Sequence, residues 1–212
     1  MVGKGVPKKS FTVAIPLLRL WSKFFATELA TKAGTGESES AHLRDHQAQA
    51  FEIFLHFINN GFIYSSKPTD TIRNIAGNVI DHEWARLGDA WSLAQRLESD
   101  SFKDAVTDAI HEKLNRKSIR PSILQSVAYQ HKHGQNGLGR PLLDSMVRDW
   151  TSREIEAMQA GDTHKEFLKD VCAALVRKLE AKEERKDGVV TDACKYHDHG
   201  ADTPCYRTLF AA

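Results

Sequence analysis

Phe51, Phe54, Leu55 and Ile58 fall at i, i+3, i+4 and i+7, which makes one apolar stripe on a helix. Asn59-Asn60-Gly61 follows and stops it, because Asn and Gly accept the left-handed conformation of a C-terminal cap. The spacing predicts a helix over residues 47–60, capped by Asp45. Phe62-Ile63-Tyr64 comes next, too short for a helix and rich in strand formers. Upstream, residues 10–14 (SFTVA) alternate and are β-branched, predicting a short strand. Pro16 suits the first turn of a helix, and Leu17, Leu18, Trp21, Phe24 and Phe25 give it an apolar face through about Ala30. The plain reading of these rings is core; the sharper one is a self-association surface. Residues 31–40 are small and polar, a loop, and residues 41–43 predict a second short strand.

Downstream, Pro68 breaks a loop over residues 65–70, and residues 71–80 carry a weak helical pattern. Trp84, Leu87, Trp91, Ala94 and Leu97 recur at helical spacing. So do Phe102, Ala105, Val106, Ala109, Ile110 and Leu114, after a turn at 98–101. Two helices so joined are expected to pack as a hairpin. A further helix is expected from Ser118 or Pro121 through Tyr129. Residues 131–141 read as a glycine-rich loop, with His131 and His133 solvated. Pro141 opens a helix bearing Leu142, Leu143, Met146, Val147 and Trp150. Residues 163–182 predict a long helix burying Phe167, Leu168, Val171, Leu175, Val176 and Leu179, with Cys172 as a small core residue and a charged end.

Composition narrows the picture. The 212 residues fit one domain with an extension, or two small domains, and 29 Lys+Arg against 28 Asp+Glu leave no global field toward nucleic acid or membrane. No apolar run approaches the ~20 residues of a membrane span. The N-terminus is basic but has no apolar stretch behind it, so no secretory signal is expected. Three cysteines argue against a disulfide framework. Nuclear or cytoplasmic residence is the expectation.

The order of elements then matters. SFTVAIPLL (10–18), Ser22-Lys23-Phe24-Phe25, Asp45 with AFEIFL (50–55), NGFIY (60–64), LGDAWSLA (87–94) and the helix over 102–114 occur in the order and spacing of a BTB/POZ domain. The resemblance, to BTB/POZ proteins of the fungal type, covers about residues 8–115. It departs at Ala14-Ile15, where the family has His-Lys, and the family's first strand would precede Val2-Gly3. The resemblance implies a helix-rich α/β (α+β) fold built on a small sheet, with or without its first strand. Residues 116–182 then form a helical extension and residues 183–212 a Cys/His-containing tail. It also implies a protein–protein interaction module, a homodimer or substrate adaptor that binds a cullin scaffold of a ubiquitin ligase, and no enzyme.

The tail carries the one ligand-like constellation. Cys194, His197, His199 and Cys205 are spaced C-x2-H-x-H-x5-C, and thiolate and imidazole donors suit tetrahedral zinc. An extended chain puts His197 and His199 on one side. The stretch from Cys194 to Tyr206 is also similar to a Cys/His segment that ends many fungal BTB proteins. An ordinary polar tail with reduced or reversibly paired cysteines is the plain alternative. A zinc-binding regulator, transcription-related through this tail, is the second functional expectation. Nothing else suggests chemistry: there is no G-x-S-x-G, P-loop or dinucleotide fingerprint. Asp81, Glu83 and Asp89 read as capping and surface groups. The basic run over residues 113–120 reads as a solvated helix end, making nucleic acid a minor expectation.

Overall fold

The computed structural model describes residues 2, 9–32, 40–66, 71–73, 79–116, 138–149, 151–152, 165–180, 194, 197, 199 and 204–210. The helix expected to end at Tyr129, His131, His133, Trp150 and the charged run after residue 180 lie outside them. Among the described residues stand α1 (Ile15–Trp21), α2 (Lys23–Lys32), α3 (Ala48–Asn60), β1 (Thr71–Arg73), β2 (Val79–Asp81), α4 (His82–Leu97), α5 (Asp100–Arg116), α6 (Gly139–Asp149), α7 (Lys165–Glu180) and α8 (Tyr206–Leu209). The chain divides into two compact units, Met1–Val106 with Asp198–Ala212, and Thr107–His197.

The expected α/β fold with a BTB/POZ-like sheet is not what forms. The molecule is helix-rich. Its described β structure is one antiparallel ribbon, with Thr71 opposite Asp81, Ile72 opposite Ile80 and Arg73 opposite Val79, plus isolated bridges from Val2 to Lys9 and to Leu43. The ribbon occupies part of the stretch expected to be helical. Residues 10–14 do alternate between half-buried and exposed, but among the described residues they pair with no strand. Phe11 instead rests on Phe51 of α3, with ring centroids 5.0 Å apart. Alternation reports burial of one side of an extended chain, and a sheet needs a hydrogen-bonding partner as well. Residues 41–43 likewise contribute a single bridge at Leu43.

The first expected helix is two. Ser22, with φ −148° and ψ 118°, interrupts it. Its Oγ donates to the carbonyl of Leu97 at 2.7 Å and accepts the N–H of Phe25 at 3.2 Å, so Ser22 caps α2 while fastening it to the end of α4. α3 is the centre of the first unit. Its Phe54 and Phe57 are fully buried, Ala50, Phe51, Ile53 and Ile58 nearly so. Phe102 of α5 meets both Phe54 and Phe57, at 5.1 and 5.4 Å between ring centroids. Each such ring contributes about 1.5–3 kcal/mol by leaving water. α3 starts at Gln47 without a side-chain cap, so Asp45 does not cap it. It ends as its sequence demands: Gly61 is left-handed at φ 79° and its N–H reaches the Phe57 carbonyl, at 2.7 Å.

α4 packs against α3 and buries every position of its expected stripe, Trp84, Leu87, Trp91, Ala94 and Leu97. Arg86 is also buried and donates through Nε and Nη2 to the Ser65 carbonyl at 2.9 and 2.6 Å. Ser65 in turn donates to Glu83 at 2.8 Å.

In the second unit α6 packs on α7. Leu138, Leu142, Leu143, Met146, Phe167 and Val171 are buried, and Lys178 donates to the Val147 carbonyl at 2.6 Å. The rest of the stripe expected to be buried on α7 is not: Leu168, Val176 and Leu179 are 42%, 51% and 77% exposed. Cys172 is exposed too, so it is no core residue. An apolar stripe shows which face of a helix is apolar but not how far along its length a neighbour covers it. At the end of α6, Arg148 grips Asp149 through Nε and Nη2 at 2.9 and 3.0 Å, and Ser145 donates at 3.2 Å. The hydrogen bonds and charge of Arg148 hold the Asp149 carboxyl below its usual range, against a smaller opposing effect of burial.

Candidate metal centre

Within residues 194–205 the described positions are Cys194, His197, His199, Pro204 and Cys205. Cys194 sits in a turn, closed by the His197 N–H donating to the Cys194 carbonyl at 3.0 Å. His199 lies two residues on and is half-buried. Cys205, with φ −61° and ψ 139°, precedes the first turn of α8. Its carbonyl accepts both the N–H and the Oγ1 hydrogen of Thr208, at 2.9 and 2.8 Å. That fixes the backbone from which the thiol projects.

All four residues named from the sequence are brought together. One donor atom from each of Cys194, His197, His199 and Cys205 lies within 4.8 Å of all the others, so the group could hold a metal ion. The donor set can be tested against zinc. Zinc–donor distances of about 2.0–2.3 Å place neighbouring donors about 3.3–3.8 Å apart in a tetrahedron. Donors within 4.8 Å of one another stand about 1 Å or less outside that spacing. None of the three cysteines is in a disulfide, so both tail sulfurs are present as thiol or thiolate, the state ligation requires.

One residue of this neighbourhood went unnoticed in the sequence. Asp108, on α5, has Oδ1 2.9 Å from Nε2 of His197. The two positions are 89 apart in the chain, and Asp108 carries no local signal beyond being a polar position of an amphipathic helix. The chain after the cluster is anchored by rings. Tyr206 is buried against Phe57, at 5.9 Å between centroids. Phe210 stacks on Trp21 at 5.0 Å and 7° and meets Phe57 at 5.6 Å.

The other polar positions do not gather. Glu83 is engaged by Ser65 and Asp89 is half-buried in α4. Lys113, the first residue of the basic run, is 8% exposed and so is not part of a solvated end; residues 117–120 lie outside the described residues. No described helix is long and apolar enough to cross a membrane. Comparisons with protein-family models, curated proteins and solved structures find no match to this chain.

Proposed function

We propose that this chain is a zinc-stabilised interaction protein without catalytic activity, its tail folded around one ion held by Cys194, His197, His199 and Cys205. The observation that supports this is the convergence of those four donors. Two thiolates with two imidazoles select zinc over the hard cations, which take oxygen ligands. A complete set of four protein donors leaves no open position for substrate, as in structural rather than catalytic sites. Zinc supplies no reaction here; it ties residues 194–205 into one fold. Such a site requires reduced cysteines, which suits the cytoplasm or nucleus. The test is elemental analysis of protein purified without chelator, beside a Cys194→Ser/Cys205→Ser variant. Equimolar zinc in the first and none in the second is expected. A metal-free wild-type chain ends the reading.

An associative role is favoured by the apolar side chains left in solvent. Leu20, Phe62 and Tyr64 are 74%, 56% and 59% exposed, and His56 meets Phe62 edge-on at 4.9 Å and stacks on Tyr64 at 5.5 Å. Exposed aromatic groups of this kind mark binding surfaces. The partners that the BTB/POZ resemblance implies, a second copy of the chain or a cullin scaffold, are proposed on this basis. Light scattering at micromolar concentration tests the first, and a strict monomer rejects it. Retention of a cullin on the immobilised chain tests the second, and its loss with Phe62→Ser/Tyr64→Ser locates the surface. A cullin that is not retained rejects the adaptor role.

A further inference from the structure

The His197 side chain is 1% exposed, and its Nε2 meets Asp108 Oδ1 at 2.9 Å. An ionised carboxylate only accepts hydrogen bonds, so Nε2 carries the hydrogen of that contact. In the neutral imidazole the lone pair then resides on Nδ1. Nδ1 is thus the nitrogen whose lone pair His197 would offer to an ion shared with Cys194, His199 and Cys205, whose donors stand within 4.8 Å of one from His197.

We infer that Asp108 is a positioning residue of the metal centre: it selects Nδ1 of His197 as the ligating nitrogen and fixes the rotation of the ring. The inference rests on the zinc reading above. A carboxylate behind a ligating histidine does three things. It selects the tautomer, it restricts the ring to the orientation ligation needs, and it makes the ligating nitrogen more basic. All three lower the cost of assembling the site. Asp108 belongs to α5, a seventeen-residue helix, so the orienting oxygen is delivered by a rigid element rather than by the tail itself. The tail supplies the ligands and α5 supplies the template.

The experiment uses the full-length chain. Zinc affinity is measured by competition with a chromophoric chelator for wild type, Asp108→Ala and Asp108→Asn. In parallel, nitrogen-15 spectra of the histidine rings report the His197 tautomer. Asp108→Ala is expected to weaken zinc about 10–100-fold and to lose the single Nε2–H tautomer. Asp108→Asn keeps an acceptor oxygen, so it is expected to retain the tautomer and lose less affinity. Both variants retain the two thiolates, so cobalt substitution still gives sulfur-to-metal charge-transfer bands in each. Denaturation with and without zinc separates positioning from plain structural support. Asp108→Ala is expected to narrow the zinc-dependent gap in midpoint; an equal fall of both midpoints, with the gap intact, overturns the inference. Unchanged affinity and tautomer in Asp108→Ala also overturn it, while leaving zinc binding in place. A wild-type chain that takes no zinc removes the zinc reading and this inference together.

Discussion

Gly61 is the position at which a single methyl group tests the fold hardest. Its φ of 79° lies in the left-handed region, and a Cβ built there would stand 2.5 Å from Cγ of Phe210. Gly61→Ala therefore carries two costs. The left-handed backbone costs an L-residue with a Cβ about 1–2 kcal/mol. The contact then forces Phe210 aside, and Phe210 has two ring partners to lose, Trp21 at 5.0 Å and Phe57 at 5.6 Å. Aromatic pairs are worth about 0.5–1.5 kcal/mol each, so displacement adds about 1–3 kcal/mol. The sum is about 2–5 kcal/mol, or a fall of about 1–2 M in urea midpoint for a slope near 2–3 kcal/mol per M. The assay is a double-mutant cycle with Phe210→Ala, read by urea denaturation. In the Phe210→Ala background the ring is already gone and only the Cβ of residue 210, 2.9 Å from the new one, must give way, so Gly61→Ala should cost little more than the backbone share of about 1–2 kcal/mol. The coupling of about 1–3 kcal/mol is the signature. Additivity within about 0.5 kcal/mol would mean that the tail does not sit over Gly61 and would refute the reasoning.

Three further outcomes follow from the packing. Ser22→Ala removes the cap of α2 and leaves the Leu97 carbonyl without its donor, so a loss of about 1–3 kcal/mol is expected; a neutral change would mean that the two helices are not fastened there. Because Arg148 holds Asp149 below its ordinary value of 3.8, the folded state binds fewer protons than the unfolded one. The resulting stability is present above that ordinary value and fades as pH falls through the lower, folded one. Asp149→Asn should flatten the acid limb of a stability-against-pH curve and leave its slope near neutrality unchanged. Leu179→Ser, at a side chain 77% exposed, should shift stability by no more than about 0.5 kcal/mol; a large loss in thermal denaturation would show that the α7 stripe is covered in solution.

Legibility in the sequence followed the range of the interactions. α3 and its stop at Gly61 are written locally, in rings at helical spacing and an Asn-Asn-Gly cap, and they form as read. α4 likewise buries each position of its stripe. The four candidate donors lie close in the chain, so spacing, donor chemistry and the resemblance to a Cys/His tail singled them out, and the structure brings them within 4.8 Å of one another. What failed depended on distant partners. Residues 10–14 show the alternation of a strand, but no second strand among the described residues pairs with them. The helix break at Ser22 is set by the Leu97 carbonyl, 75 positions away. Leu179 carries the right spacing for a core, and α6 leaves it in solvent. Asp108 meets His197 only across 89 positions.

The rings at the far end of the chain have a bearing on biosynthesis. Trp21 and Phe57 are made long before Tyr206, which follows Phe57 by 149 positions, and Phe210. A nascent chain that has not reached residue 204 presents an unfinished aromatic face for the whole interval. Closing so long a loop is entropically late, and that interval is when nascent-chain chaperones or a neighbouring copy compete for the same surface.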